Sequence, residues 1–357
     1  MKQASESHNK ISVAPMMDWT DRHCRYFMRL LTPNALLYTE MVTANAIHYG
    51  DTAKILKFSD AERPVALQIG GSDPEIMAQA ARRGAEFGYD EININVGCPS
   101  DRVQNGRFGA CLMARPETVA ECVRAMHAAA DLPVTVKSRI GIDDLDSYGF
   151  LEEFVQTVAA AGCKTFIVHA RIAILGGMSP KENRALPPLN YERVFRLKRS
   201  HPEFEVILNG GIADLDQVED ALQHVDGVMI GRRAYHHPYF LAELEQHFNP
   251  GWSMPERRDV VEQMLPYIET QLRAGEKLGS ITRHMLGLFA GMPGARSWRR
   301  YISEHAYRDG AGVEVILAAL DAMPGAAENQ CLTYFPEYHL APVRQARTET
   351  TAGGRTG

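Results

Sequence analysis

A chain of 357 residues, 45% apolar and 23% charged, has the make-up of a soluble enzyme, with material for one large core and a smaller satellite. Its formal charge of -6 and pI near 6.1 exclude a uniformly basic nucleic-acid binder, though segregated basic residues would escape that average. The polar start MKQASESHNK, the lack of any uncharged run near the ~18 residues of a membrane span, and cysteines without a C-x-x-C pair exclude a signal peptide, a membrane helix, a zinc site and a disulfide framework. Cys24, Cys98, Cys111, Cys122, Cys163 and Cys331 read as reduced thiols, and the expectation is a cytoplasmic protein with no metal.

Eight short β-branched runs recur in order: ISVAPM from Ile11, LLYTEMV from Leu36, PVALQIG from Pro64, YDEININVG from Tyr89, PVTVKSRIG from Pro133, KTFIVHAR from Lys164, EVILNGGI from Glu205 and DGVMIGRRA from Asp226. A helical pattern follows each. Asp73 caps a helix that Pro74 opens, with Ile76, Met77, Ala80 and Ala81 on one face. Pro116 opens a second, which buries Val119, Ala120, Val123 and Met126. Ser147 caps a third, in which Phe150, Leu151, Phe154, Val155 and Val158 recur at helical spacing. This alternation predicts an α/β fold, a closed parallel (β/α)8 TIM barrel over residues 1–250, with a doubly wound open sheet as the other arrangement.

NPGWSMPE, from Asn249, is rich in breakers, and the strand signal stops there. Val260, Val261, Met264, Leu265, Ile268 and Leu272 predict a helix kinked at Pro266, and Ile281 to Met292, Arg296 to Arg308 and Val313 to Met323 predict three more. These make an all-α four-helix domain over 255–325. Residues 326–357 form an extension whose Gly/Thr/Arg-rich end is expected to be disordered from about Pro342. From Lys277 to Ser303 the chain carries Lys277, Arg283, Arg296, Arg299 and Arg300 with no Asp or Glu, a candidate RNA surface.

Active-site groups in such a barrel sit at the C-terminal ends of strands. The candidates are Met16, Met17 and Asp18 after the first strand, Gln68 after the third, Asn95 and Cys98 after the fourth, Lys137 and Arg139 on the fifth, and His169 and Arg171 on the sixth. The last two strands end in Asn209-Gly210-Gly211 and Gly231-Arg232, the position of a phosphate cradle. Cys98 leaves its strand at a Gly/Pro/Ser loop with Asn93 and Asn95 alternating behind it. Free cysteine often serves packing, but this neighbourhood reads as an acid or nucleophile. An unpaired Lys137 within a strand would be costly without an anion. Asp143, Asp144 and Asp146 are expected to cap the Ser147 helix, and His236-His237 to lie on the surface. Lys137 and His169 on adjacent strands suit FMN: two cations would stabilise the reduced ring's negative charge while Gln68 meets its pyrimidine edge. No G-x-G-x-x-G follows a strand, so a nicotinamide would be a transient hydride donor.

Ten segments together resemble the tRNA-dihydrouridine synthases of the A type: APMMDWTDRHCR from Ala14, LYTEMV from Leu37, ALQIGGSDP from Ala66, NVGCPSDRVQNGRFGACLM from Asn95, VKSRIGIDD from Val136, HAR from His169, SPKENR from Ser179, NGGI from Asn209, DGVMIGR from Asp226 and ITRHMLGLFAGMPGARSWRRYISE from Ile281. The resemblance spans Ile11 to Met323. It departs at Ile172, where relatives often carry a polar residue, so no substrate role is carried onto that position.

The resemblance implies NADPH as reductant and FMN held by Pro15, Met16, Met17, Gln68, Lys137, His169, Asn209, Gly210, Gly211, Gly231 and Arg232. Hydride from the flavin would go to C6 of uracil, Cys98 would protonate C5, and Asn95 would hold the uracil edge. Lys181, Arg184, Arg296, Arg299 and Arg300 would grip the tRNA so that U20 and U20a of the D-loop are reduced. A free-pyrimidine flavin reductase or dihydroorotate-type dehydrogenase needs the same barrel but no basic helices. An RNA-binding scaffold would not need Cys98, Lys137 and His169.

Overall fold

The computed structural model describes residues 10–323. Its parallel strands are β1 (Ile11–Val13), β2 (Leu36–Tyr38), β3 (Val42–Thr43), β4 (Val65–Gly70), β5 (Glu91–Val96), β6 (Val134–Arg139), β7 (Thr165–His169), β8 (Glu205–Asn209) and β9 (Gly227–Ile230). They run β2-β1-β9-β8-β7-β6-β5-β4 in hydrogen-bonded order, and β2 also pairs with β4, which closes the ring. The fold is the expected eight-staved (β/α)8 barrel.

One predicted strand is broken. The run from Leu36 divides into β2 and β3, because Tyr38 lies opposite Ala66 while Val42 lies opposite Ile69. One strand has gained a residue on the other, a β-bulge that turns the intervening segment out of register. Thr39 still ties it down: its N–H donates to the Ala66 carbonyl (3.0 Å) and its hydroxyl accepts the Gln68 N–H (3.0 Å). Glu40, freed from the ladder, accepts the N–H of Asp18 after β1.

Alternation along the strands sorts residues between outer core and lumen. Leu67, Ile69, Ile92, Ile94, Val96 and Val136 are buried in the main core. Inside, Ala14, Tyr38, Ala66, Ile167, Ile207 and Met229 form a small apolar cluster. The lumen beside β4, β5 and β6 is instead polar, filled by Gln68, Asn93, Asn95 and Thr135, which are bonded to one another.

The surrounding helices follow their sequence signals. Asp73 accepts the N–H groups of Glu75 and Ile76, and the helix Pro74–Phe87 ends at Gly88 in the left-handed conformation. The helix Pro116–Ala129 buries the predicted face. Ser147 caps Tyr148–Ala159, accepting from the Phe150 N–H at 3.1 Å. Asp143 does not serve that helix. It has a positive φ of 42° and accepts the Leu175 N–H (2.8 Å), which fastens two loops together.

After Phe248 the chain is helical over Arg257–Arg273, Leu278–Thr282, Ala295–His305 and Glu314–Asp321. Pro266 lies within the first helix, where the Thr270 hydroxyl donates to its carbonyl. The helix expected over Ile281 to Met292 is not formed. Leu278–Thr282 gives way to successive turns, and Gly287 shows why: a Cβ there would stand 2.4 Å from the His236 carbonyl oxygen. That close approach seats the segment against the barrel. The tail from about Pro342 lies outside the described residues, as does Cys331. No described helix is long and apolar enough to cross a membrane.

Asp21 joins the two parts. Its carboxylate caps the helix Arg22–Arg29 through the N–H groups of His23 and Cys24, and it also binds Arg283 (2.6 Å) and His284 (3.0 Å). Burial alone would raise its pKa, but the hydrogen bond and charge of His284, the Cys24 N–H and Arg283 hold it well below the usual carboxylate range. Stability from this group is therefore present above pH ~4 and lost as pH falls through and below that value. Asp21→Ala should destabilise the protein by roughly 3 kcal/mol at pH 7, since it removes a cap and takes the carboxylate partner from Arg283 and His284. In urea melts the gap from the parent should narrow as pH drops from 6 toward 3; a constant gap would contradict the assignment.

Candidate active site

At the mouth of the barrel β5 ends in a loop that its own side chain organises. Asn95 Oδ1 accepts the N–H groups of Gly97 (3.2 Å) and Cys98 (2.9 Å), while its Nδ2 donates to Gln68 Oε1 (2.9 Å). This turn brings the half-buried thiol of Cys98 to the rim, with its Sγ 3.5 Å from the Ser100 hydroxyl. Gly109 allows the chain to return: with φ of 77°, a Cβ on it would stand 2.5 Å from the Cys98 carbonyl oxygen. Asn95 keeps one N–H for a ligand and Gln68 keeps one, since Gln68 Nε2 donates to Asn93 (2.7 Å).

Beside Cys98, from the neighbouring β6 onward, the strand ends are basic. Lys137 reaches over to Asn209 Oδ1 (3.0 Å), and the Asn209 Nδ2 donates to the Met229 carbonyl (2.7 Å). Arg139 is buried and donates to the carbonyls of Gly97, Ile172 and Asn183, which pins the loop after β5 to the loop after β7 at two points. Arg171 donates to the Pro187 carbonyl and Arg232 to the Arg184 carbonyl (3.1 Å). None of Lys137, Arg139, Arg171, Arg184 and Arg232 meets a carboxylate among the described residues.

The deeper members of this set cannot stay charged cheaply where little water reaches them. Burial first and the Arg139 charge second push Lys137 down to about 7, and burial brings Arg139 to about 10. Burial, then the charges of Arg139 and Lys137, hold His169 well below the usual imidazole range. His169 is therefore a neutral ring here, and the two cations expected for this spot are one cation and one neutral donor.

The glycines shape the space beside them. Gly210 and Gly211 have φ of 114° and 77°, and a Cβ on Gly210 would lie 2.6 Å from His169 Cδ2, so only glycine lets the imidazole lie against the strand end. A Cβ on Gly231 would meet nothing nearer than 3.8 Å. These are ordinary contacts, with Ala14 and Met16, so packing alone does not require glycine there. Pro15 and Met16 are half-buried at the same rim, and Met17 is 54% exposed. Cations without acidic partners and a neutral imidazole beside the glycines that end β8 suit an anionic group such as a flavin phosphate.

Sequence reading missed the residues that fasten the loops. Gln104 Nε2 donates to the carbonyls of Pro99 and Leu175 (2.7 Å each), which ties the Cys98 loop to the loop after β7. Asn183, fully buried, bonds Ile174 through both ends of its amide, and the Tyr191 hydroxyl donates to the Gly210 carbonyl. None of the three carries a local signal, since each partner is distant in sequence or set by loop geometry.

The basic helical surface is only partly as expected. Arg283 is claimed by Asp21, and Arg300 lies 3.9 Å from Glu304, just past the acid-free stretch. Arg296 and Arg299 are exposed on the helix Ala295–His305 with no acidic partner among the described residues, and Lys181 and Arg184 are exposed on the loop after β7. A separate crevice of about 540 Å³ between barrel and helices is lined by bases and acids alike, including Arg22, Lys54, Glu40 and Glu276, and not by Cys98. His236 is exposed, with its ring edge-on to Trp19.

A parallel barrel whose mouth joins a rim thiol to an acid-free basic recess defines an enzyme that binds an anionic cofactor or substrate. The model of the dihydrouridine synthase (Dus) family matches residues 12–324, and the chain belongs to that family. It is 58% identical over 313 residues to the tRNA-dihydrouridine(20/20a) synthase of Shewanella oneidensis, covering 87% of this chain and 93% of that one. The enzyme of the same name from Escherichia coli K12 is 56% identical over 324 residues, covering 90% and 94%. Among solved structures, a 2-naphthoyl-CoA reductase complex aligns with a TM-score of 0.51 at 12% identity. It covers 68% of this chain, which spans half of that one, and shows likeness of fold alone.

The cost of charging Lys137 is open to measurement. Because its folded pKa lies below the ~10.4 of a free lysine, the destabilisation is fully present below pH 7 and fades as pH rises toward 10. In flavin-free protein Lys137→Met should raise the melting temperature at pH 6, and the gain should shrink by pH 10. An equal gain at both values would mean that packing, not charge, is responsible.

Proposed function

We propose that this protein is an FMN-dependent, NADPH-driven oxidoreductase of the CH-CH class that reduces uridine to 5,6-dihydrouridine in the tRNA D-loop, at U20 and U20a. The observation that carries this reading is Cys98, held at the barrel mouth by Asn95 next to a cluster of strand-end cations that meet no carboxylate among the described residues. The family is flavin-dependent, and this recess fits FMN. Asn209, Gly210, Gly211, Gly231 and Arg232 would hold its phosphate end, with Lys137, His169, Gln68 and the segment Pro15 to Met17 around the ring.

When bound and reduced, the flavin supplies a hydride for C6 of the uracil. Cys98 delivers the proton from Sγ to C5. Its loop, fixed by Asn95, Arg139 and Gln104, keeps the thiol at one point on the rim, and such fixed placement contributes directly to rate. The remaining N–H of Asn95 can take a uracil carbonyl. Uracil has to leave its stack to reach this depth, and the exposed Leu186 and Leu189 on the loop after β7 offer apolar surface for the extruded base.

The barrel, residues 1–250, is the catalytic domain in this reading, and residues 255–325 form a tRNA-binding domain in a cytoplasmic enzyme. Lys181, Arg184, Arg296, Arg299 and Arg300 contact the tRNA backbone, with Arg296 and Arg299 on one exposed helix face. Arg300 contributes less, since Glu304 screens it.

Cys98→Ala should keep its FMN and consume NADPH as the parent does, while dihydrouridine formation falls by about 10²–10⁴-fold. Parent-like modification by this variant would remove the proton-donor role. Arg296→Ala and Arg299→Ala should each lower the salt slope of tRNA binding by about one unit. Mass spectrometry of tRNA from a strain lacking the protein should show uridine at U20 and U20a and dihydrouridine at U16 and U17. Loss at U16 or U17 alone would mean that the tRNA docks differently from this reading.

A further inference from the structure

The lumen holds a carboxylate that this chemistry leaves unused. Glu91 begins β5, and Asn93 and Asn95 follow on the same face, so the three span about 13 Å from the base of the barrel to its mouth. Glu91 Oε1 accepts from both the Thr135 and the Tyr38 hydroxyls, at 2.6 Å each. Having given its only proton to Glu91, Thr135 offers just lone pairs to Asn93, and Asn93 Nδ2 donates to it at 2.8 Å. Asn93 Oδ1 then faces Gln68 and accepts its Nε2 (2.7 Å), and Gln68 Oε1 accepts Asn95 Nδ2 (2.9 Å). Asn95 is left with Oδ1 toward the loop, where it holds the N–H groups of Gly97 and Cys98.

We infer that Glu91 is a positioning residue for Cys98: as the acceptor-only end of this chain it sets the orientation of three amides in series, and so holds the loop that carries the thiol. The inference rests on the uridine-reducing reading above. An Asn or Gln amide can turn over with little change in shape, so a chain of amides has two directions. An ionised carboxylate at one end and backbone N–H groups at the other permit only one. A group at position 91 that could donate would free Thr135 to donate to Asn93. The amides could then turn over together, and Asn95 would present its NH2 to the Cys98 N–H, donor against donor, releasing the loop.

The side chains around Glu91 sharpen the expectation. Besides Tyr38 and Thr135 they include Glu205 on β8 and Cys163 before β7, both close enough to interact with its charge. Loss of water around the carboxylate, opposed by the hydrogen bonds from Thr135 and Tyr38 and reinforced by Glu205, brings Glu91 to about 7. The anchored arrangement therefore strengthens as pH rises through neutrality, the range in which Glu91 ceases to be a donor.

The test compares three variants of the full chain. Glu91→Gln makes the end of the chain ambiguous, Thr135→Val breaks the next link with a side chain of the same shape, and Thr135→Ser keeps it. One readout is the rate at which iodoacetamide alkylates Cys98 in flavin-free protein, followed by peptide mass mapping. The other is kcat and KM for unmodified tRNA. Glu91→Gln and Thr135→Val should alkylate roughly threefold faster or more, as a loosened loop does. Their kcat should fall by about 10- to 100-fold, with KM for tRNA within about twofold and flavin content retained. Thr135→Ser should match the parent in both. If Glu91→Gln does not fold, the Thr135 pair decides alone. Parent-like kcat and alkylation in Thr135→Val, or equal losses in Thr135→Val and Thr135→Ser, would overturn the inference. A parent protein that makes no dihydrouridine would refute the functional reading instead, and the alkylation comparison would still judge the chain.

Discussion

The pairing of β2 with β4 turns an open sheet into a ring, and the mouth of the barrel exists because of it. In an open sheet the inward faces of β4 and β9 would lie on opposite flanks. Closure folds them over one another, so that Gln68, Asn95, Lys137, His169 and Asn209 converge from five strands on one small volume. The bulge after Tyr38 follows from the same constraint. The second stave leaves its register with β4 midway, and the released segment lets Glu40 hold the turn after β1. The rim is thus tied together by a feature that costs the ladder only one residue.

Closure also separates charge along the barrel axis. Acids stand at the N-terminal ends of the strands, with Glu91 opening β5 and Glu205 opening β8, while Lys137, Arg139, Arg171 and Arg232 gather at the C-terminal ends. The field of such an arrangement points out of the mouth and draws anions toward it. Burial first, and the neighbouring cations second, lower the proton affinity of Lys137 and His169, at a cost in stability. The stability that carries this strain comes from elsewhere: from the apolar outer faces of the strands packed on their helices, and from the seam where Asp21, His23 and Tyr26 of the first helix meet Arg283, His284 and Tyr267.

Polar residues fill one side of the lumen where apolar layers would pack more simply. A buried amide is costly unless every partner is present, and a complete set is correspondingly rigid. The chain from Glu91 to Asn95 is complete at both ends, one closed by a carboxyl oxygen that accepts two hydroxyls and the other by backbone donors. Specificity of orientation, rather than added stability, is what such a network provides.

The sequence by itself determined the staves, the capped helices and the strand-end residues, because each depends on local periodicity and on the rule that a parallel barrel works from its C-terminal ends. Asp73, Pro74 and Ser147 could be read directly, and so could Cys98 and the glycine pairs after the last strands. Tertiary structure alone decided what depends on distant partners. It gave Arg283 to Asp21, laid Gly287 of a turn-rich segment against the His236 carbonyl, neutralised His169 among its neighbours, and joined Gln104 to Leu175. The division has a physical reason. Backbone propensity and amphipathic pattern act over a few residues, whereas the charge state of a side chain and the direction of a hydrogen bond are set by whatever folding brings within about 4 Å of it.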